Sequence, residues 1–180
     1  LKLDFRKAEN MVPNVYDAEP IPAAAMAEVT RILSTGDLFR YTSDNSPVAL
    51  LESEFAALLG AKYALAVSSC SAALFLSLKA LALPRDARVM IPAFTFAAII
   101  SHMRGHTSDM DAIMGLCDAA RIPVIEDAAH SLGTTWAGRN IGMLGRIGCF
   151  SFQSYKLINA GEDGIMVSDD ADLIARAVIM

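Results

Sequence analysis

The sequence predicts an α/β fold built on a mostly parallel sheet. Short apolar runs of strand length alternate along the chain with longer segments of helical period. The runs "YALAV", "VMI" and "PVIE" are continuously apolar, as strands covered on both faces by helices are. The 180 residues are 54% apolar and 19% charged, enough to bury a sizeable core, and the length alone suggests one domain.

Taken in order, "IPAAAMAEVTRILSTG" (21–36) reads as a helix opened by Pro22 and closed by Gly36. "GDLFRYTSDNSP" is polar and turn-rich, hence a loop. In "PVALLESEFAALLG", Val48, Leu51, Phe55, Leu58 and Leu59 share one helical face and Gly60 ends the helix. "KYALAVSS" is a strand followed directly by the helix former "CSAALFLSLKALAL". "ARVMIPAFTF" gives a further strand, ended by Pro92. "DMDAIMGLCDAARI" is a helix whose first turn carries Asp109 and Asp111, matching the helix dipole. "PVIED", "GCFSFQ" and "GIMVSDD" are three more strands, and "ADLIARAVIM" a last helix. No internal repeat or low-complexity segment interrupts this pattern.

Two features do not fit a complete chain. The sequence stops inside an apolar helix, and "IPAFTFAAIISHMRG" passes from strand to strand with no helix between them, whereas a parallel pair needs a crossover of roughly a dozen residues. Residues are therefore expected to be absent near 97–100 and after Met180. The bulk numbers narrow the function classes. A net charge of −5 with no Lys/Arg cluster argues against a nucleic-acid partner. No apolar run reaches the ~20 residues that span a bilayer, and the N-terminus lacks the apolar core of a signal peptide. Cys70, Cys117 and Cys149 have no zinc-type spacing and are too few for a disulfide framework. A soluble, cytoplasmic protein without membrane or nucleic-acid partners is expected.

Candidate chemistry lies at strand ends, where α/β folds place their sites. "VSSCSAAL" runs from strand through a small polar turn into a helix; free N–H groups there, beside Ser69 and Ser71, would bind a phosphate. The same serines would also serve as plain helix caps. In "VIEDAAH", Asp127 follows a buried strand beside Glu126 and shortly before His130. A carboxylate there can cap a helix, bind a metal or pair with a buried cation, and the lack of a Cys/His cluster makes metal the weakest option. His102 and His106 share "HMRGH", where a glycine and the absence of helical period weaken them as a ligand pair. Lys156 sits between the aromatic run "CFSFQ" and the turn "NAGEDG". Such a lysine is often merely solvated, but when partly desolvated it attacks carbonyls. The three elements explain one another if the ligand is pyridoxal phosphate. Its aldehyde needs a lysine, its ring nitrogen a carboxylate, its phosphate a helix N-terminus. Phe94 or Phe96 of "PAFTF" would cover the ring.

The order and wording of these motifs resemble the DegT/StrS aminotransferases, pyridoxal-phosphate enzymes that aminate keto-sugars and keto-cyclitols. The resemblance runs from about Ile21 to the end. It is carried by "KYALAVSSCSAAL", "VMIPAFTF", "HMRGHTSDMDAI", "PVIEDAAHSLGTTWAGRNIGMLGRIGCFSFQSYK" and "NAGEDGIMVSDD". It implies that Lys156 forms the internal aldimine and that Asp127 partners the pyridine nitrogen. It places His130 on the cofactor's phenolic-oxygen side, Phe96 on the ring, and Cys70, Ser71 and Ser151 at the phosphate. It implies the fold-type I large domain over 21–180, with a mostly parallel seven-stranded sheet between helices, residues 1–20 as an N-terminal segment, and a small C-terminal domain absent from this chain. Glutamate or glutamine as amino donor and a homodimer are implied with it.

Departures from the family pattern are visible. Ser69-Cys70-Ser71 stands where Ser-Gly-Thr is usual, and Gly161-Glu162-Asp163-Gly164 where Gly-Glu-Gly-Gly is. Serine keeps the hydroxyl; the extra carboxylate of Asp163 has no evident purpose in the sequence. The family also carries roughly forty more residues after "TF", in line with the missing crossover. Sugar dehydratases of the same fold have a histidine in place of the lysine, so Lys156 argues against that reaction. A non-catalytic binding or regulatory member is the other rival. A nicotinamide enzyme would need a Gly-x-Gly-x-x-Gly turn, which is absent.

Overall fold

The structure, a computed structural model, describes residues 20–87, 89–90 and 100–180. Helix α1 (Ala23–Thr35) follows Pro22 and ends at Gly36, whose φ of 68° is the left-handed turn that glycine favours. Helix α2 (Pro47–Leu59) is capped by Ser46, whose Oγ accepts from the Ala49 N–H at 3.4 Å. Strand β1 (Tyr63–Val67) leads into α3 (Cys70–Ala80), and β2 (Ile100–Ser101) into a 3-10 turn at Met103–Gly105. Helix α4 (Met110–Ala120) begins one residue later than the acidic pattern suggested. Asp109 is its cap rather than part of its first turn, accepting from the Ala112 N–H at 3.0 Å. Strand β3 (Ile125–Asp127) is followed by a small hairpin of β4 (Thr135–Trp136) and β5 (Arg139–Asn140), then by β6 (Ile147–Ser151), β7 (Gly164–Ser168) and α5 (Ala171–Val178).

The main sheet has the order β1-β7-β6-β3-β2. Strands β2, β3 and β6 are parallel, and β7 runs antiparallel to both β6 and β1, so four of the five strands point one way. The sheet is thus mostly parallel, with five strands among the described residues where seven were expected. Most of "ARVMIPAFTF", including Phe94 and Phe96, lies outside the described residues, as do residues 1–19.

Both faces of the sheet are covered, as the continuous apolar runs require. On β7, Ile165 and Val167 face one core layer and Met166 the other, following the two-residue period of a strand. One layer joins Phe55 and Leu59 of α2 to Met110 and Cys117 of α4; the other joins Ala73 and Leu74 of α3 to Leu173 and Ile174 of α5. The Phe55 ring meets Phe150 and Phe152 edge-on, each at 5.3 Å between centroids. That contact narrows the α2 stripe. Phe55, Ala56 and Leu59 are buried, whereas Leu51 and Leu58, expected on the same face, are exposed. The hairpin was not foreseen. Its turn, Ala137-Gly138, holds two residues at positive φ (47° and 79°), the requirement of a type I′ connection.

A buried carboxylate ties this hairpin region to the sheet. Glu126 Oε1 accepts from the N–H groups of Leu144 (2.7 Å) and Gly145 (2.6 Å), and Oε2 from Gly142 (2.9 Å). His102 Nε2 lies 3.2 Å from Oε2, and both side chains are fully buried. Glycine is needed here for close approach: a Cβ on Gly142, already at φ 90°, would run into the Phe150 ring.

Candidate active site

The carboxyl ends of the parallel strands meet on one edge of the sheet. Register sets Val67 of β1 opposite Gly164 of β7, and Gly164 opposite Ser151 of β6; it likewise sets Asp127 of β3 opposite Cys149, and Ser101 of β2 opposite Asp127. Six of the seven predicted site residues, Cys70, Ser71, Asp127, His130, Ser151 and Lys156, lie at or just beyond these ends. The seventh, Phe96, is outside the described residues. The amino ends of the same strands instead border two shallow clefts of about 500 and 650 Å³, around Arg146, far from Lys156 in the sheet.

Lys156 stands on the connection between β6 and β7, which bonds to itself. The Phe152 N–H donates to Asp163 O (3.0 Å), Ala160 N–H to Phe152 O (2.8 Å), Ser154 N–H to Gly161 O (3.0 Å) and Lys156 N–H to Gln153 O (2.8 Å). Gln153 Nε2 adds a bond to Glu162 Oε1 at 2.6 Å. The loop is therefore a platform, and it presents Lys156 Nζ to His130 Nε2, in contact, and 4.5 Å from the centre of the Tyr155 ring. Partial burial lowers the pKa of the Lys156 ammonium, while Cys70 and Asp127 hold it up. His130 is also lowered, first by desolvation, then by Lys156, with Asp127 opposing and Arg104 adding a smaller push down. Its Nδ1 lies 3.2 Å from Met103 Sδ.

Asp127 is half-buried. Its Oδ1 accepts from the Ala129 N–H at 3.1 Å and its Oδ2 from the Ser101 hydroxyl at 3.2 Å. An ionised carboxylate offers about four acceptor positions, so two remain for a further donor. Opposite it, Ser69 caps α3 by accepting from the Ala72 N–H at 3.1 Å. The N–H groups of Cys70 and Ser71 have no partner among the described residues, the ordinary condition of a helix start that receives an anion. Burial pushes the Cys70 thiol up to about 12, with Asp127 adding and Lys156 subtracting. Cys70, Asp127 and Lys156 thus stand at or just beyond the same edge of the sheet, after β1, at the end of β3 and after β6.

Gly164 closes that space from below. A Cβ there would collide with the Cys70 nitrogen and the Ser69 carbonyl, so only glycine lets β7 start against the turn. The neighbouring Asp163, unexplained in the sequence, folds its carboxylate back onto the chain, Oδ1 accepting from the Gly164 N–H at 2.8 Å. Burial raises its pKa and that bond partly offsets the rise. Ser151 Oγ accepts from the Gln153 N–H at 3.3 Å, which anchors the start of the lysine loop. The contacts of Ser101, Met103 and Tyr155 with the site were not foreseen. Strand register brings in Ser101 and the chain beyond β2 brings in Met103, whereas Tyr155 is the chain neighbour of Lys156 and only the bend that turns its ring to the ammonium is added by the fold. Among the described residues no group of three or more His, Cys, Asp or Glu side chains is placed to hold a metal ion.

The model of the DegT/DnrJ/EryC1/StrS aminotransferase family matches residues 21–101 and 97–180. The chain belongs to that family. Its relatives include the spore coat polysaccharide biosynthesis protein SpsC of Bacillus subtilis (strain 168), 31% identical over 97% of this chain and 54% of SpsC. The crystal structure of 3-amino-5-hydroxybenzoic acid synthase superposes with a TM-score of 0.81 at 29% identity, covering 93% of this chain and 54% of that one. DesI, solved in the presence of its TDP-sugar product, gives a TM-score of 0.71 at 27% identity over 95% of this chain and 55% of DesI. The chain thus spans about half the length of the relatives it matches, and over that half it has the α/β fold of solved aminotransferases.

Proposed function

We propose that the protein is a pyridoxal-phosphate-dependent aminotransferase that moves an amino group from glutamate or glutamine to a keto-sugar or keto-cyclitol. The observation that carries this reading is the convergence, on one sheet edge, of a partly desolvated lysine, a carboxylate with spare acceptor capacity and a helix start with free N–H groups. Those residues fit the cofactor's three chemical demands. Cys70 and Ser71 would hold the phosphate with Ser151 beside them, Asp127 the ring nitrogen, His130 the phenolic side, and Lys156 the aldehyde carbon. Phe96 is proposed for the ring face. When bound, pyridoxal phosphate supplies an electron sink for the carbanion that forms next to the transferred nitrogen.

The chain's own part follows from its charges. Partial burial lowers the proton affinity of Lys156 Nζ, which raises the fraction of free amine at neutral pH. When free, the same amine would be placed to take a proton from the substrate carbon and deliver it two bonds away, across the transferred nitrogen. Asp127 would offer its two free acceptor positions to the ring nitrogen. SpsC by name, and DesI by its TDP-sugar product, support a sugar acceptor. Lys156 disfavours the dehydratase alternative, and the intact set of Lys156, Asp127 and Ser151 disfavours a purely binding role.

A homodimer is proposed with this reading. Helix α1 buries none of its side chains, and Met26, Val29 and Leu33 stand exposed on it, a face that needs a partner. The three free cysteines suit a reducing, cytoplasmic setting. Residues 21–180 are assigned to the cofactor domain, residues 1–20 to an N-terminal segment and a small C-terminal domain to chain outside this sequence. The two-piece family match supports a segment lacking near 97–100.

The test is a spectrum of the intact protein with pyridoxal phosphate, wild type beside Lys156→Ala. A visible band in the wild type that borohydride fixes onto Lys156, and its absence from the variant, is the expected result. A folded wild type that takes up no cofactor would overturn the reading.

A further inference from the structure

We infer that Ser101 is a positioning residue for Asp127, fixing the plane in which its carboxylate meets a cationic ring nitrogen; this rests on the function proposed above. Ser101 ends β2 and pairs with Asp127 in the parallel register, so their side chains leave the sheet on the same side at the same height. The Ser101 hydroxyl donates to Asp127 Oδ2 at 3.2 Å, while the Ala129 N–H donates to Oδ1 at 3.1 Å. Two donors, one on each oxygen, oppose rotation about the bond that joins the carboxylate to its Cβ. With either removed, the group turns about a single anchor.

The frame that holds Ser101 is itself fixed. The next residue, His102, donates its N–H to Asp127 O at 3.1 Å, and its carbonyl accepts from Ser131 Oγ at 2.6 Å. Its ring is buried against Glu126. Backbone on both strands is thus tied at the level of the carboxylate, and Ser101 has a defined place from which to donate. At 3.2 Å the Ser101 bond is a long one, so its part is to orient the carboxylate about its axis rather than to bind it tightly. The two acceptor positions that Ser101 and Ala129 leave free on Asp127 are the ones a ring nitrogen would take.

The test compares Ser101→Ala, Ser101→Val and Ser101→Thr in the intact protein. Threonine keeps the hydroxyl, valine has nearly its shape without it, and both suit a strand. Two readouts are taken: the dissociation constant for pyridoxal phosphate, and the 15N chemical shift of the bound cofactor labelled at the ring nitrogen. Loss of one charge-assisted bond is expected to raise the dissociation constant about five- to tenfold in the Ala and Val variants. Their ring-nitrogen signal should move towards the unprotonated pyridine position, with Thr close to wild type in both. Val and Thr behaving alike, or all three matching wild type while the wild type binds cofactor, would overturn the role of Ser101 and leave the proposed function standing. A wild type that binds no cofactor would overturn both.

Discussion

Glu126 and Asp127 are adjacent acids on one short strand, and the pleat sends them to opposite faces. On one face Glu126 is fully buried and saturated, accepting from three backbone N–H groups and contacting His102. On the other, Asp127 is half-buried and accepts from only two donors. The same chemistry thus does two jobs. A carboxylate whose acceptor positions are all used holds chain to chain; one left short of donors is ready for a ligand.

The sharpest way to break this contrast is to neutralise each acid in turn. Asp127→Asn should cut amino-transfer turnover by about 10²–10³-fold, as loss of a preorganised charge does, while leaving the urea midpoint almost unchanged. Glu126→Ala should do the reverse. It strands three N–H groups and a buried histidine, at a cost of about 3 kcal/mol in unfolding free energy. Equal stability losses in the two variants would erase the distinction.

A second contrast uses glycines on the two sides. Gly142→Ala drives a methyl into the Phe150 ring at positive φ and should cost about 2 kcal/mol. Gly164→Ala drives one into the backbone of the turn at Ser69 and Cys70, and is expected to cost at least as much stability and also to weaken cofactor binding, measured by titration with pyridoxal phosphate. If Gly164→Ala leaves that titration curve in place, Gly164 does not shape the anion cup.

The smallest effect is electrostatic. Amine labelling of Lys156 in the cofactor-free protein should reach half its maximal rate below pH 10.5, the ordinary lysine value, because the folded environment lowers the proton affinity of its Nζ. Asp127 supports the charged form, so Asp127→Asn should shift the labelling curve to still lower pH, whereas Glu126→Gln should not move it. A curve centred at or above the ordinary value would show that the amine is simply solvated.

The strand–helix alternation, the capped helices and the two-sided burial of the sheet were legible in the sequence. Apolar runs and helix-end residues act locally, and Pro22, Gly36 and Gly60 mark the ends where the structure has them. Lys156, Asp127 and the turn at Cys70 were legible as candidates because strand ends are where α/β sheets expose side chains. What could not be read was distance. The reach of Ser101 to Asp127 depends on register between strands 26 residues apart in sequence. The Glu126 staple depends on backbone N–H groups, which any residue except proline would provide. The over-broad α2 stripe has a similar cause: periodicity finds a face but not how much of it another element covers.

The reversed direction of β7 has a consequence for how the site comes together. Because β7 pairs with β6 head to tail, Lys156 is carried by a hairpin closed by Ser151 and Gly164, a loop of a kind that forms in microseconds. The anion-binding turn and Asp127 reach it only through pairings distant in sequence, which are slower to form. The reactive arm is thus expected to be in place before the pocket it serves. Substitutions within the hairpin should show first in the folding rate, and those that loosen β1 or β3 in the rate of unfolding.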